Sequence, residues 1–171
     1  MAEPLELVKK LKSRLARYKE LYSRNEVAVR EQIVSPLLSV FGWDTEDPKC
    51  VIPEYPVVKG RSRMKIDYAL LKRRAILAVV EVKALGKVSE GLGSADKKAR
   101  AVDARYIIVT DGDTWQIYEI SKGAIKLISE WSLLREDPRD VVKKAQVITS
   151  IKSPGKTRGG SRRSSHKPLE A

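Results

Sequence analysis

The sequence predicts an α/β domain, and three patterns carry that expectation. Val8, Leu11, Leu15, Tyr18 and Tyr22 recur at alternating three- and four-residue steps, the period of one helical face. The stretch KIDYALLKRRAILAVVEVKA, residues 65–84, is two runs of strand formers on either side of a polar Lys72-Arg73-Arg74 turn. Beyond it, helical and extended patterns keep alternating in a chain of 171 residues, long enough for one ordinary core.

The first helix runs from Pro4 to about Arg24. Its stripe fits either the seam of a homodimer or docking on the protein's own core; the run is short for a coiled coil, which favours the core. Asn25 is placed as the N-cap of a second helix, EVAVREQIVSPLLSVFG, ending near Gly42 and kinked by Pro36. A strand follows around CVIPEYPV, and then the hairpin. SEGLGSADKKARAVDA is a loop leading into a helix, and RYIIVTDGDTWQIYEI is two strands about the Asp111-Gly112 turn. A strand near AIKLISEW and a helix from Pro138 to about Val147 close the domain, which spans residues 1–150. Residues 151–171, rich in Gly, Ser, Arg and Lys, are expected to form a disordered basic tail.

Composition excludes several chemistries. Cys50 is the only cysteine, so neither an intramolecular disulfide nor a cysteine-cluster zinc site has its parts. The only histidine, His166, lies in the tail, which leaves the folded part without a Ser-His-Asp triad or a multi-histidine metal site. No apolar run has the length of a membrane span and the N-terminus lacks a signal-peptide core, so a cytoplasmic location is expected. The net charge is +12; six Lys/Arg against Glu170 put +5 in residues 152–171 and leave +7 on the body. Such a chain suits a polyanionic partner, nucleic acid first, although excess charge also serves solubility alone.

Asp67, Glu81 and Lys83 interrupt the apolar hairpin, where an ionised side chain is expensive without compensation. A turn centred on Arg74 sets Asp67 opposite Glu81, with Cβ atoms about 5 Å apart, and like charges so placed repel. Lys83, two residues on from Glu81, points to the same face. Two readings fit. A hard divalent cation such as Mg²⁺ between the carboxylates relieves the conflict, or Lys83 neutralises one of them as a structural ion pair. On the second helix, the arc of Val29, Ile33, Val34, Leu37, Val40 and Phe41 also contains Glu26 and Arg30, with Glu31 at its border. Glu26 is therefore a candidate third carboxylate, or else a first-turn acid paired with Arg30.

The blocks NEVAVREQIVSPLLSVFGWD, PEYPV, KIDYALL, VVEVKALG and YIIVTDGDTWQIYE, in this order over about residues 20–120, resemble the nuclease domain at the N-terminus of the type I restriction enzyme motor subunit. That domain belongs to the PD-(D/E)XK phosphodiesterase superfamily. The resemblance implies a restriction-endonuclease-like α-β-β-β-α-β core with a central mixed sheet. It implies a metal-dependent endonuclease acting on nucleic acid, DNA before RNA, with Mg²⁺ as cofactor and Mn²⁺ as its substitute. By matching positions, Asp67 and Glu81 would bind metal with the Val82 carbonyl, Lys83 would orient or activate the attacking water, and Glu26, or failing it Glu31, would be the helical glutamate.

The sequence departs from that pattern in three places. Ile66 stands where the family name has proline, SADKKARAVDARY lacks the glutamine often found after the third strand, and the sequence contains no helicase motor. SPGKT at 153–157 is no phosphate loop, because Ser150 occupies the place of the required first glycine. Arg61, Arg63, Lys65, Lys87, Lys97 and Lys98 are candidate contacts to the phosphate backbone, while Asp111 and Asp113 read as turn residues. A nuclease-like module that binds nucleic acid or a protein partner without cutting is the alternative.

Overall fold

Pro4 opens α1 (Pro4–Arg17) at a position whose N–H no helix uses, and Glu6 sits where the helix dipole favours an acid. The helix breaks at Tyr18 (φ −116°, ψ 36°) and resumes as α2 (Lys19–Arg24), so the single expected helix is two. Val8, Leu11, Leu15 and Tyr22 are buried in the chain's own core, while the break leaves Tyr18 48% exposed. The structure, a computed structural model, describes residues 3–153.

Asn25 caps α3 (Glu26–Val29), its side chain accepting from the Ala28 N–H at 2.9 Å. The helix then widens into a π-helical turn, Arg30–Val34, before α4 (Ser35–Val40). Pro36 explains the change. It has no N–H to give the Gln32 carbonyl and its ring crowds that turn. The Gln32 carbonyl accepts instead from Arg14 Nη1 at 2.6 Å.

One six-stranded sheet runs in chain order: β1 (Val51–Lys59), β2 (Ser62–Lys72), β3 (Ala75–Val82), β4 (Tyr106–Thr110), β5 (Thr114–Ser121) and β6 (Ala124–Ser132). Neighbours are antiparallel except β3 and β4, a parallel pair whose crossover contains α5 (Leu92–Ala101). Pro53 and Pro56 are tolerated because β1 is an edge strand. Asp137 caps the closing helix, α6 (Pro138–Ser150).

Alternate residues of the sheet feed two cores. Val80, Val82, Ile108 and Ile117 pack with α1, α4 and α6, whereas Ala69, Val79, Ile107 and Val109 pack with Ala95 and Ala99 of α5. The β2–β3 register agrees with the expectation, but by another route. The turn is the two residues Arg73 and Arg74, both at positive φ (50° and 67°). This alone would shift the pairing by one. An irregularity beyond Leu71↔Ile76 then admits Leu77 as an extra residue and restores Leu70↔Ala78, Ala69↔Val79 and Tyr68↔Val80.

The packing continues past residue 150. Ile151 is buried, and the Lys152 ammonium donates to the Gly42 carbonyl at 2.8 Å and stands 4.7 Å from the Trp43 ring centroid. Lys152 is thus held by the domain rather than free in a tail. The rest of the expected tail, with His166, lies outside the described residues. Among the described residues, no helix is long and apolar enough to cross a membrane.

Gly91 lets α5 close on the sheet: a Cβ there would stand 2.4 Å from Val109 Cγ1, whereas one at Gly93 would meet nothing within 4 Å. Gly91→Ala is expected to lower unfolding stability by about 1–3 kcal/mol through overpacking. Gly93→Ala should raise it by roughly 0.5–1 kcal/mol, because a helical glycine is replaced without a clash. Urea titration of both variants measures the contrast; shifts of the same sign would show that α5 is not pressed against β4.

Candidate active site

Glu81 is next to last in β3 and is only 3% exposed. Its neighbours Val80 and Val82 belong to the core on one face, so Glu81 is left on the side of α5. Its Oε2 accepts from Lys98 Nζ at 2.9 Å, and its Oε1 lies 3.5 Å from Lys83 Nζ. Two ammonium groups therefore compensate one buried carboxylate.

Asp67 lies where β2 and β3 part. Their pairing ends at Tyr68↔Val80, and one residue further Asp67 Oδ2 accepts from the Val82 N–H at 2.7 Å, so a side chain takes a backbone donor of the adjacent strand. On β1, Glu54 falls between the pairs Pro53↔Tyr68 and Tyr55↔Ile66 and has φ 48°. The Asp67 pKa is raised above the ordinary aspartate value. Burial is the main cause; the Val82 N–H opposes it, the Glu81 charge adds to it, Lys98 opposes it and Glu26 adds to it. Asp67, Glu81, Lys83 and Lys98 thus form one electrostatic cluster.

The helical glutamates sit differently from the wheel's expectation. Glu26 is exposed at the first position of α3, where no preceding helical turn covers it, although its charge is felt at Asp67. Glu31 is also exposed and accepts from Arg30 Nε at 3.1 Å. Arg30 approaches Glu54 at 3.6 Å and lies 6.0 Å from the Tyr68 ring centroid, so among the described residues it meets Glu31, Glu54 and Tyr68 rather than Glu26. The wheel assumed 100° per residue, which the π turn does not keep.

Lys98 requires a correction. Expected among the surface contacts to phosphate, it is 9% exposed, because Ala95 and Ala99 seat that face of α5 on the sheet and carry Lys98 to Glu81. Arg61, Arg63, Lys65, Lys87 and Lys97 are exposed. Val82 contributes its N–H to Asp67 and its side chain to the opposite core.

Asp111 has a part that its turn position did not disclose. Its Oδ1 accepts from the N–H groups of Asp113 and Thr114, and its Oδ2 accepts from the Gly86 N–H at 3.0 Å. It thereby ties the β4–β5 turn to the loop entered by Lys83. Burial raises its pKa, against the pull of the Thr114 and Gly86 N–H groups. Asp113 accepts from the Ser132 hydroxyl and the Leu134 N–H.

Among the described residues, no group of three or more His, Cys, Asp and Glu side chains is arranged to hold a metal ion. Asp67 and Glu81 offer a pair of hard carboxylates, a donor set that fits a divalent cation retaining several waters.

No family model matches the chain, and no curated protein does. Among solved structures, the chain is similar to a fragment of a protein named as an HsdR subunit of a type I restriction enzyme from Vibrio vulnificus YJ016. The two are 23% identical with a TM-score of 0.53, over 72% of this chain and 26% of that one. The likeness is one of fold, and the chain spans about a quarter of the length of the structure it matches.

Asp67 generates a test of the site's electrostatics. Because its folded pKa is raised, ionisation costs stability as pH climbs from the ordinary aspartate value through the raised one. Asp67→Asn retains a carbonyl oxygen to accept the Val82 N–H and removes the charge. Without added metal, the variant is expected to melt above wild type at neutral pH, and the gap should close on acidification. Thermal melts across that window measure it; a variant less stable than wild type at pH 8 would refute a strained carboxylate.

Proposed function

We propose that this chain, folded like a fragment of a restriction enzyme subunit, is a metal-dependent nuclease that hydrolyses phosphodiester bonds in nucleic acid, DNA before RNA. The observation that carries this reading is the convergence of Asp67, Glu81 and Lys83 where β2 and β3 separate. The order of α3 to α4, β1, β2, β3, α5 and β4 supports the reading, since an α-β-β-β-α-β core calls for elements in that order.

Asp67 and Glu81 would hold Mg²⁺, or Mn²⁺ in its place, together with the Val82 carbonyl. When bound, the ion supplies positive charge for the phosphate oxygens and acidifies water. Lys83, 22% exposed and anchored beside Glu81, presents its ammonium to the attacking water and to the charge that gathers on phosphorus's oxygens. Water attacks phosphorus, the bond to the 3′ oxygen breaks, and that oxygen leaves with a proton. Glu26 is the helical glutamate, exposed on the approach to Asp67. The exposed Arg61, Arg63, Lys65, Lys87 and Lys97 position the backbone by charge and carry no sequence code.

A non-cutting binding module is the second reading. It is favoured by the lysine ammonium against each Glu81 oxygen, since an ion pair already satisfied needs no metal. Lys83→Ala separates the two. In the nuclease reading, cleavage falls by roughly 10²–10³-fold while affinity for a duplex changes little. In the other, the variant loses stability that metal does not restore, by less than the roughly 3–5 kcal/mol of an uncompensated buried charge, because Lys98 still pairs with Glu81. Cleavage of single strands, duplexes and junctions with Mg²⁺, Mn²⁺ or EDTA measures the first quantity, and a wild type that cuts none of them gives the case to the binding module.

The basic C-terminal segment has its own test. Truncation after Ser153 keeps the docked Lys152 and removes Lys156, Arg158, Arg162, Arg163 and Lys167. The melting temperature should hold. The slope of log affinity for DNA against log salt should flatten by up to about four, as fewer counterions are released. An unchanged slope would place those five charges outside the contact.

A further inference from the structure

Lys83 and Lys98 both neutralise Glu81, but they are held differently. Lys83 follows β3 and remains 22% exposed, 3.5 Å from Oε1. Lys98 comes from another element, α5, is nearly sealed, and makes the shorter 2.9 Å contact to Oε2. Its position is imposed by packing, because Ala95 and Ala99, three residues before it and one after, are fully buried against the sheet. Its charge also acts on Asp67, where it opposes the effects of burial and Glu81. Lys98 therefore sits in the field of both carboxylates.

That is the electrostatic task a divalent cation would perform at the same two groups. A buried ammonium and a divalent ion on one carboxylate repel strongly, because little water is present to screen them. Both cannot use Oε2 of Glu81. The surrounding packing gives the ammonium one established partner, whose loss must be offset by whatever replaces it.

We propose that Lys98 is an internal counter-ion that competes with the divalent cation for Glu81, so that metal enters only as the Lys98 ammonium leaves that carboxylate. The proposal rests on the reading of Asp67 and Glu81 as metal ligands. It makes Lys98 a positioning residue that sets metal affinity, and it gives the buried lysine a role distinct from that of Lys83.

The test is calorimetric titration of Mn²⁺ into the whole chain as wild type, Lys98→Gln and Lys143→Ala. Glutamine keeps a donor for Glu81 without the charge, and Lys143 is an exposed cation on α6 that controls for net charge. Lys98→Gln should bind Mn²⁺ about tenfold or more tightly than wild type, since a close like charge is gone. Lys143→Ala should bind as wild type does. A second measurement keeps the test alive if Lys98→Gln does not fold: the acetylation rate of the Lys98 amine in wild type, followed by mass spectrometry. Saturating Mn²⁺ should raise that rate several-fold. Affinity in Lys98→Gln equal to or below that of wild type overturns the proposal but leaves the metal reading standing. So does a Lys98 labelling rate that Mn²⁺ does not move in a wild type that binds it. Absence of Mn²⁺ binding in both proteins overturns the two together, and binding by Lys98→Gln alone is the clearest support.

Discussion

A carboxylate only 3% exposed, near the C-terminal end of a central strand, must be compensated, and much of the architecture around Glu81 answers that demand. An uncompensated buried charge would cost several kcal/mol on the scale of the whole folding free energy. Lys83 comes from the residue just after the same strand, but Lys98 can arrive only if α5 lies close against β3 and β4. Gly91 permits that approach by having no Cβ to strike Val109. The loop between Lys83 and α5 is in turn tied at Gly86 by Asp111, a carboxylate of the next strand's turn. The parallel β3–β4 pair, its crossover helix and the β4–β5 turn are thus mechanically joined to one side chain.

Much of the fold was legible because its signals are local. Strand runs, turn dipeptides and the Asn25 cap are each written within a few residues, and each element appears where those signals put it. What escaped depends on contacts remote in the chain. The break at Tyr18 has no sequence marker, since a helical stripe reads through it. Pro36 announces a distortion, but not that the helix would widen and pass the Gln32 carbonyl to Arg14.

The site was legible unevenly for the same reason. Asp67, Glu81 and Lys83 stand out because charge is anomalous in an apolar run. Lys97 and Lys98 are adjacent lysines in a charged segment, and composition cannot rank them. The available signal was the small pair Ala95 and Ala99, which marks the seated face of α5 and has Lys98 at its margin. Asp111 beside Gly112 reads as a turn residue and is one; its further hold on Gly86 crosses 25 positions of chain. Glu26 shows the reverse, since a periodicity argument buried a residue that the helix end leaves in the open.

The extra residue Leu77 bears on how such a sequence can change over generations. Were it drawn into the ladder at unchanged length, the pairing begun at Lys72↔Ala75 would continue unshifted, setting Tyr68 against Val79 and joining residues of opposite faces. Asp67 would meet Val80 instead of lying across from Glu81. Closing the bulge without losing a residue would therefore damage both cores and dismantle the charged cluster together. Deletion of Leu77 itself, by contrast, leaves a continuous ladder in which Tyr68 still faces Val80, so residue number and bulge change together. The register of Asp67 and Glu81 is accordingly inherited as a unit, and side chains around it can drift far more freely than that register.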